Sequence, residues 1–254
     1  MLANIAFWLG LAVSLVIGLV YFRDLGDVSQ MLIKVKRKNM LRFIRNEYRL
    51  LAVGLSALAL MTIAHFGFDG GARGFWWSTF LLSAFLYGFP YIWVHVGLRN
   101  QKNSARFFSI EEAKEYVSPS SQVIVLESNG IARAHPQAQL LRPHLAGNEE
   151  GLDGKNVMMT YCAMANLGIG YTAEIEGEKL DLEVLAQHGN NLILRDNRTG
   201  EPIQQIYGFR ESDAKTETDG SVCALRPSQA MRPWPTFRMT FRGFQKAYSG
   251  YGLH

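Results

Sequence analysis

Three long apolar runs without a charged residue occupy the first hundred positions of the chain, and they restrict its fold more than any other feature. A helix of about 20 residues crosses the hydrocarbon core of a bilayer, and within lipid a helix satisfies its own backbone hydrogen bonds. The sequence therefore predicts a membrane region, residues 1–103, with spanning helices at about 3–22, 50–68 and 75–97. A basic loop, residues 23–49, joins the first two helices.

Charge divides the chain at the same place as hydropathy. Residues 1–103 carry 11 Lys or Arg and 4 Asp or Glu, whereas residues 104–254 carry 15 and 18. The net charge of +4 thus comes from the membrane region, and the acidic half shows no interleaved stripe of basic and aromatic residues. We therefore expect no nucleic-acid partner.

The basic loop also predicts the orientation of the chain. Residues 23–49 carry eight basic and three acidic residues, and such loops stay on the cytoplasmic side. The sequence thus predicts an integral protein of the cell (inner) membrane, in contact with the lipid bilayer, with its N-terminus outside and its soluble domain in the cytoplasm. Apolar residues recur at helical spacing over residues 31–48, which form either an amphipathic helix along the inner leaflet or an ordinary charged loop.

Residues 104–254 have the pattern of a β-rich α+β domain, whose strands form a sheet, a sandwich or a small barrel. Ser109 followed by glutamates predicts a helix start. Two apolar runs around the Ser-Asn-Gly sequence at 128–130 predict a hairpin, and residues 182–200 predict another. The aromatic tail, residues 235–252, is expected to be a final helix.

The stretch MMTYCAMANLGIGY, residues 158–171, places Cys162 among three methionines. Imidazole, thiolate and thioether together favour copper, especially the reduced ion. One hypothesis is therefore a copper site formed by His144, Cys162 and Met164, because residues 162 and 164 share one face of a strand. The other is that Cys162 is a small packed residue, as buried cysteines commonly are, and that the methionines fill the core.

Two histidines, His65 and His95, fall within the predicted spans. They lie at opposite ends of antiparallel helices, so one haem cannot use both within a single chain. We expect them to be polar residues at helix interfaces.

Short motifs follow one another through the soluble half. Their positions are Ala134, Pro136, His144 and Asn148, then Thr160, Tyr161 and Cys162 with Tyr171, and then Asp196, Thr199, Gly200 and Gln205. In this order they resemble a widespread bacterial and archaeal domain-of-unknown-function family, whose hallmark is a TYCP-L-C/T-G-T segment ending in an aromatic residue. The resemblance covers about residues 111–250, leaves the membrane spans out, and brings no known activity with it.

The chain departs from this family's pattern at several positions. Ala163 stands where the family has proline, Ala165 where it has a second Cys or Thr, and Asn-Leu at 166–167 where it has Gly-Thr. Ile203 replaces a tryptophan of the downstream motif. Because disulfide exchange needs a second thiol in reach, a dithiol mechanism is excluded here unless the fold brings Cys223 near.

No Walker loop, GxSxG, HExxH or Gly-rich dinucleotide loop occurs in the sequence. The interpretation we favour is a membrane-anchored accessory or binding subunit of a larger membrane complex, without a complete catalytic site of its own. Three helices exceed what anchoring requires, and small residues such as Gly54, Ser56 and Ala57 let a helix approach from a membrane-protein partner or from a second copy. The alternative is a copper- or other metal-binding or thiol redox protein that uses His144 and Cys162.

Overall fold

The chain forms two compact units, Met1–Val96 and Gly97–His254. A computed structural model describes their residues 1–25, 33, 35–99, 105–147, 151–189, 191–213 and 227–249. The division between the units falls shortly before the boundary at residue 103 that the sequence predicts.

Within its described residues, the first unit has three helices that are long and apolar enough to cross a membrane. Their bounds are α1 Leu2–Leu25, α2 Arg37–Phe68 and α3 Arg73–Tyr91, and a π-helical segment, Ile92–Arg99, continues from α3. The prediction of three membrane-length helices is confirmed.

Helix α2 begins well before the apolar run that predicted it. It starts at Arg37, inside the loop expected over residues 23–49, and continues to Phe68. The apolar residues Met40 and Phe43 of this first part are buried. In the described part of the chain, the helical spacing before residue 50 therefore marks the first turns of a membrane-length helix and not a separate segment.

Small residues let α1 lie close to its neighbours. A Cβ at Gly10 would lie 2.6 Å from the carbonyl oxygen of Ala57 on α2, and one at Gly18 would lie 3.2 Å from Leu86 on α3. Since real Cβ contacts are longer, larger residues at these positions would push α1 away from the other helices. The apolar cluster nearby comprises Phe7, Met61, Ala64 and Trp76.

The described part of the second unit is built from short antiparallel strands. Their bounds are β1 Gln122–Ser128, β2 Ile131–Pro136, β3 Leu145–Gly147, β4 Val157–Cys162, β5 Leu167–Thr172, β6 Glu174–Ile175, β7 Glu178–Lys179, β8 Leu182–His188, β9 Asn191–Asp196, β10 Pro202–Gln204, β11 Pro233–Trp234 and β12 Thr236–Thr240. The helices are α4 Ile110–Ala113, α5 Gln137–Leu140 and α6 Phe241–Tyr248, with a 3-10 turn at Pro227–Gln229.

These strands form three sheets and one ribbon. The sheet orders are β12-β1-β2, β11-β5-β4-β3 and β10-β9-β8, and β6 pairs with β7. Together with the helical first unit, this confirms the predicted class, a membrane α-helical region of three spans followed by a β-rich α+β domain. The sheets are open within the described residues.

Both predicted hairpins are present. Strands β1 and β2 turn through Asn129 and Gly130, whose φ angles of 50° and 81° are both positive, as a two-residue type I′ turn requires. Strands β8 and β9 pair beside Gly189, whose φ is 55°. Residues that tolerate a positive φ explain why the chain reverses at these points.

The aromatic tail is not one helix, contrary to the sequence-based prediction. Residues 236–240 form strand β12, which pairs with β1, and of the described residues of the tail only Phe241–Tyr248 is helical. The alternating Thr-Phe-Arg-Met-Thr sequence suits a strand. The Thr240 hydroxyl then accepts a hydrogen bond from the Gly243 amide at 3.1 Å and begins the helix as its N-cap.

Candidate functional site

Cys162 is the last residue of β4, and its side chain is fully buried. The Gln187 side chain donates a hydrogen bond from Nε2 to the Cys162 sulfur over 3.1 Å. A buried thiol that accepts a hydrogen bond from a neutral amide behaves as a packed polar residue of the core. The second cysteine, Cys223, lies outside the described residues.

His144 is hydrogen-bonded to the backbone of β4 at Tyr161, the residue before Cys162. Its Nδ1 donates to the Tyr161 carbonyl at 3.1 Å, and the Tyr161 amide donates to the His144 carbonyl at 2.7 Å. Burial lowers the pKa of His144, so its ring is neutral at neutral pH. With Nδ1 protonated, Nε2 carries the lone pair, which is the form that binds metals.

The three predicted metal ligands have different environments. Cys162 and His144 are 0% and 5% exposed, whereas Met164 lies in the turn after β4 and is 41% exposed. Among the described residues, no three His, Cys, Asp or Glu side chains are grouped as a metal centre. A copper site that combines His144 and Cys162 with a thioether stays a prediction.

Thr160 and Gln205, two positions of the predicted motifs that lie far apart in the sequence, meet in the core. The Gln205 Nε2 donates to the Thr160 hydroxyl at 2.9 Å and to the Leu167 carbonyl at 3.3 Å. The Thr160 hydroxyl donates in turn to the Ile169 carbonyl at 2.9 Å. The Gln205 side chain thus ties the segment after β10 to strands β4 and β5.

Tyr171, the aromatic residue at the end of the predicted motif, also bonds the segment after β10. The Tyr171 hydroxyl donates to the main-chain carbonyl of Gln205, and burial raises the pKa of Tyr171, so the hydroxyl keeps its proton. Oε1 of Gln205 is buried and bonds nothing within the described residues. These groups form a network of neutral hydrogen bonds.

Tyr161 points into a second network on the other side of β4. Its hydroxyl donates to Asn166 Oδ1 at 2.9 Å, and Gln137 Nε2 donates to the same oxygen at 2.7 Å. Arg238 of β12 donates to the Asn166 carbonyl. Asn166 thereby links β12 and α5 to the turn after β4.

The downstream motif braces a turn. The buried Asp196 carboxylate accepts hydrogen bonds from the Asp181 amide at 3.1 Å, the Arg198 amide at 3.3 Å and the Thr199 hydroxyl at 3.0 Å. Gly200 follows with a φ of 74°, and its amide donates to the Asp196 carbonyl at 2.7 Å. These residues stabilise the β9–β10 turn. The remaining motif position, Asn148, lies outside the described residues.

The first unit contains a buried polar cluster, which we call the Glu47 cluster, formed by Tyr21, Glu47 and His95. The Glu47 carboxylate is 1% exposed, lies 2.5 Å from His95 Nε2, and accepts a hydrogen bond from the Tyr21 hydroxyl at 3.1 Å. Tyr91 stacks on the His95 ring at 4.3 Å. The expectation that His95 is a polar residue at a helix interface is confirmed. Sequence reasoning did not single out Glu47, because this residue lies among the basic residues of the predicted loop, residues 23–49.

A cavity of about 700 Å³ opens in the second unit. Its walls come from residues 105–117, strand β2, the turn after α5, and α6. Its charged residues are Arg106, Arg133, Arg142 and Glu112. Sequence reasoning missed this site because its walls come from separate segments and no local spacing connects them.

Comparison with known proteins identifies the soluble part. A family described as "Protein of unknown function (DUF3179)" matches residues 88–250. The match begins within α3, earlier than the stretch of residues 111–250 on which the resemblance rests. It includes the last part of the third helix, which the resemblance leaves out, and the individual motif positions stay a prediction. No curated protein and no solved structure matches the chain. Because the match covers more than half of the sequence, the chain belongs to this family of unknown function.

Proposed function

We propose that the protein is a membrane-anchored accessory or binding subunit of a larger membrane complex. Its helices pack into a bundle with their own buried polar contacts, such as the one between the Ser14 and Ser83 hydroxyls at 3.2 Å. Simple anchoring needs one apolar helix. A bundle whose helices are fixed against one another offers a defined surface to a second membrane protein.

Two of the three small residues expected at a helix interface pack against other helices of the same chain. Gly54 is buried beside Tyr87 of α3, and Ala57 meets Gly10 of α1. Ser56 is exposed on the outward face of α2, together with Ala52 and Ala59.

The hydroxyl of Ser56 is the observation that carries the proposal. Thr62 and Ser78 each donate their hydroxyl to the carbonyl four residues earlier, at 2.9 Å. Ser56 makes no such bond within the described part of the chain. A hydroxyl without a partner is unfavourable in lipid, and small neighbours let another helix come close enough to bond it. We therefore place a helix of a different membrane protein on the Ala52–Ser56–Ala59 face.

Replacement of Ser56 by leucine is expected to release this partner. The substitution adds apolar volume to the outward face, so it favours membrane insertion while it blocks close approach of a second helix. The measurement is affinity purification of the full-length protein in a mild detergent, with quantitative identification of co-purified membrane proteins. One protein is expected to be present in near-equal amount with wild type and reduced at least about tenfold with Ser56→Leu, a loss of roughly 1.4 kcal/mol or more.

Leu19→Phe is the matched control, because Leu19 is 57% exposed on α1 and the change also adds volume to an outward face. It is expected to retain the partner. Recovery of wild type alone from several detergents would contradict the proposal, and recovery as a stable dimer that Ser56→Leu dissociates would replace the partner with a second copy.

The proposal includes the cytoplasmic side for the soluble domain. Arg37, Lys38, Arg42 and Arg45 lie in the first turns of α2, where positive charge holds that end of the helix in the cytoplasm. A green fluorescent protein fused to the C-terminus is expected to fluoresce, and alkaline phosphatase fused at the same site is expected to be inactive. The reverse pair of results would place the domain outside.

A further inference from the structure

We propose that the cavity of the second unit binds an amphipathic organic anion, in which a carboxylate or phosphate is attached to an apolar or aromatic body. This site is separate from the α2 face in the preceding proposal and does not depend on it. The cavity volume of about 700 Å³ lies within the range of small-molecule sites, about 300–1,000 Å³.

The interior of the cavity suits an apolar body. Phe107 comes from the segment of residues 105–117, and the buried Phe241 and Phe244 come from α6, while the exposed Tyr116 also lines the cavity. Val117 and Ala132, which also line it, belong to the buried cluster beneath α6. Aromatic and aliphatic walls of this kind cover most of the surface of a bound ligand.

The charged groups suit an anion. Three arginines, Arg106, Arg133 and Arg142, line the cavity together with a single carboxylate among its described lining, that of Glu112. Glu112 is already engaged, because its carboxylate accepts hydrogen bonds from the Ser109 amide at 2.9 Å and the Ser109 hydroxyl at 2.8 Å. These bonds lower the pKa of Glu112 and keep it a capping group of α4. Even without Arg133, the two arginines Arg106 and Arg142 outnumber this carboxylate, so positive charge is in excess along the described lining.

One arginine is held in place by aromatic packing. The Arg133 guanidinium lies 4.2 Å from the centre of the Phe107 ring, and Phe107 meets the His135 ring edge-on at 5.5 Å. Stacking of this kind fixes the plane of a guanidinium against the wall of the cavity. His135 adds no competing charge, because burial lowers its pKa to about 4.

The other two arginines lie where the cavity meets solvent. Arg106 and Arg142 are both exposed, and neither pairs with a carboxylate of the described residues. Arginine binds carboxylates and phosphates through two parallel hydrogen bonds. The geometry thus places the anionic group at the arginines and the apolar body against the aromatic rings.

The test is equilibrium dialysis of full-length protein in lipid nanodiscs, with protein-free nanodiscs as the blank. The anionic probe is anilinonaphthalene sulfonate, whose sulfonate stands for the carboxylate or phosphate, and the neutral probe is phenylnaphthylamine. Wild type is expected to bind the anionic probe above the blank, at least about tenfold more tightly than the neutral one.

The double variant Arg106→Gln with Arg142→Gln removes two exposed charges without disturbing the core. It is expected to weaken binding of the anionic probe at least about tenfold and to leave the neutral probe unchanged. Arg232→Gln, at an exposed arginine outside the cavity, is the matched control and is expected to bind both probes as wild type does. Ala134→Phe, which fills the cavity from β2, is expected to lose both.

Competition identifies the source of the ligand. Laurate, a single-tailed carboxylate, would displace the probe if the cavity binds a lipid-derived anion. Benzoate would displace the probe if the cavity binds a small soluble anion. Either result supports the site. Wild type that binds neither probe above the blank, or equal binding of the anionic probe by wild type and the double arginine variant, would overturn the proposal.

Discussion

Replacement of Glu47 by alanine is expected to destabilise the first unit by about 1–3 kcal/mol, the usual effect of removing one partner from a buried hydrogen bond. The carboxylate is 1% exposed and contacts His95 at 2.5 Å, and it also accepts a hydrogen bond from the Tyr21 hydroxyl. The three side chains come from α1, α2 and the π-helical segment, so the Glu47 cluster joins all parts of the bundle. Loss of the carboxylate removes a hydrogen-bond partner of His95 and of Tyr21 at once.

Two companion variants separate hydrogen bonding from packing. Glu47→Gln keeps an oxygen acceptor for Tyr21 and is expected to lose less stability than alanine does. The double variant Glu47→Leu with His95→Leu removes both members of the pair and fills the space with apolar atoms. It is expected to recover most of the wild-type stability, because an apolar replacement of a buried pair is often neutral or stabilising.

The measurement is unfolding of the full-length protein by sodium dodecyl sulfate in mixed micelles, followed by tryptophan emission. Four of the five tryptophans lie in the first unit, so the signal reports on the bundle. A Glu47→Ala protein that unfolds at the wild-type concentration of detergent would show that the cluster contributes nothing to stability. A double leucine variant as unstable as Glu47→Ala would show that the loss arises from something other than the broken contact between the two side chains.

The cluster also lies at a change of helix type. Long π-helical segments are rare, and π-helical turns occur often at functional sites. Ile92–Arg99 begins two residues after Pro90, and His95 lies in its middle. Proline removes a backbone donor and disturbs the turn before it, and the chain changes helix type just after this residue.

The features that sequence predicts well in this chain are those set by neighbouring residues. Uncharged runs gave the three membrane-length helices, and the Asn129-Gly130 pair gave a hairpin whose positive φ angles the structure contains. The start of α2 at Arg37 was missed. Charged residues mark that stretch as a loop, whereas Met40 and Phe43 are buried and hold it in the helix.

The features that sequence predicts poorly depend on contacts between distant segments. Thr236–Thr240 became a strand because β1 offers it an edge to pair with, and a local pattern shows no such edge. The environment of Cys162 depends on Gln187, which belongs to a different sheet. The arginines of the cavity come from separate segments, so their convergence is a property of the fold.

Acidification from pH 7 to pH 5 is expected to destabilise the soluble unit by roughly 2 kcal/mol through His135. The ring is 4% exposed, and its burial, with a smaller contribution from the positive charge of Arg133, lowers its pKa from 6.5 to about 4. The Ile124 carbonyl, 3.4 Å from Nδ1, acts in the opposite direction and only partly compensates. Phe107, which packs on the ring from the segment of residues 105–117, has no charge.

The sign of the effect follows from proton binding. Between pH 6.5 and about pH 4 the unfolded chain protonates this histidine and the folded chain does not. The contribution of His135 to the free energy of unfolding is therefore fully present above pH 6.5 and is lost as the pH falls toward 4. His144 acts in the same direction, because burial lowers its pKa as well.

Scanning calorimetry of the full-length protein at the two pH values measures this loss, which corresponds to about 4–8 °C in the melting temperature of a unit of this size. His135→Leu is expected to remove most of the pH dependence, because leucine fills the buried site and binds no proton. His188→Leu, at the half-buried end of β8, is the matched control and is expected to keep it. If His135→Leu and wild type lost the same stability on acidification, the ring of His135 would not be the group that titrates, and His144 or the carboxylates of the unit would have to account for the change.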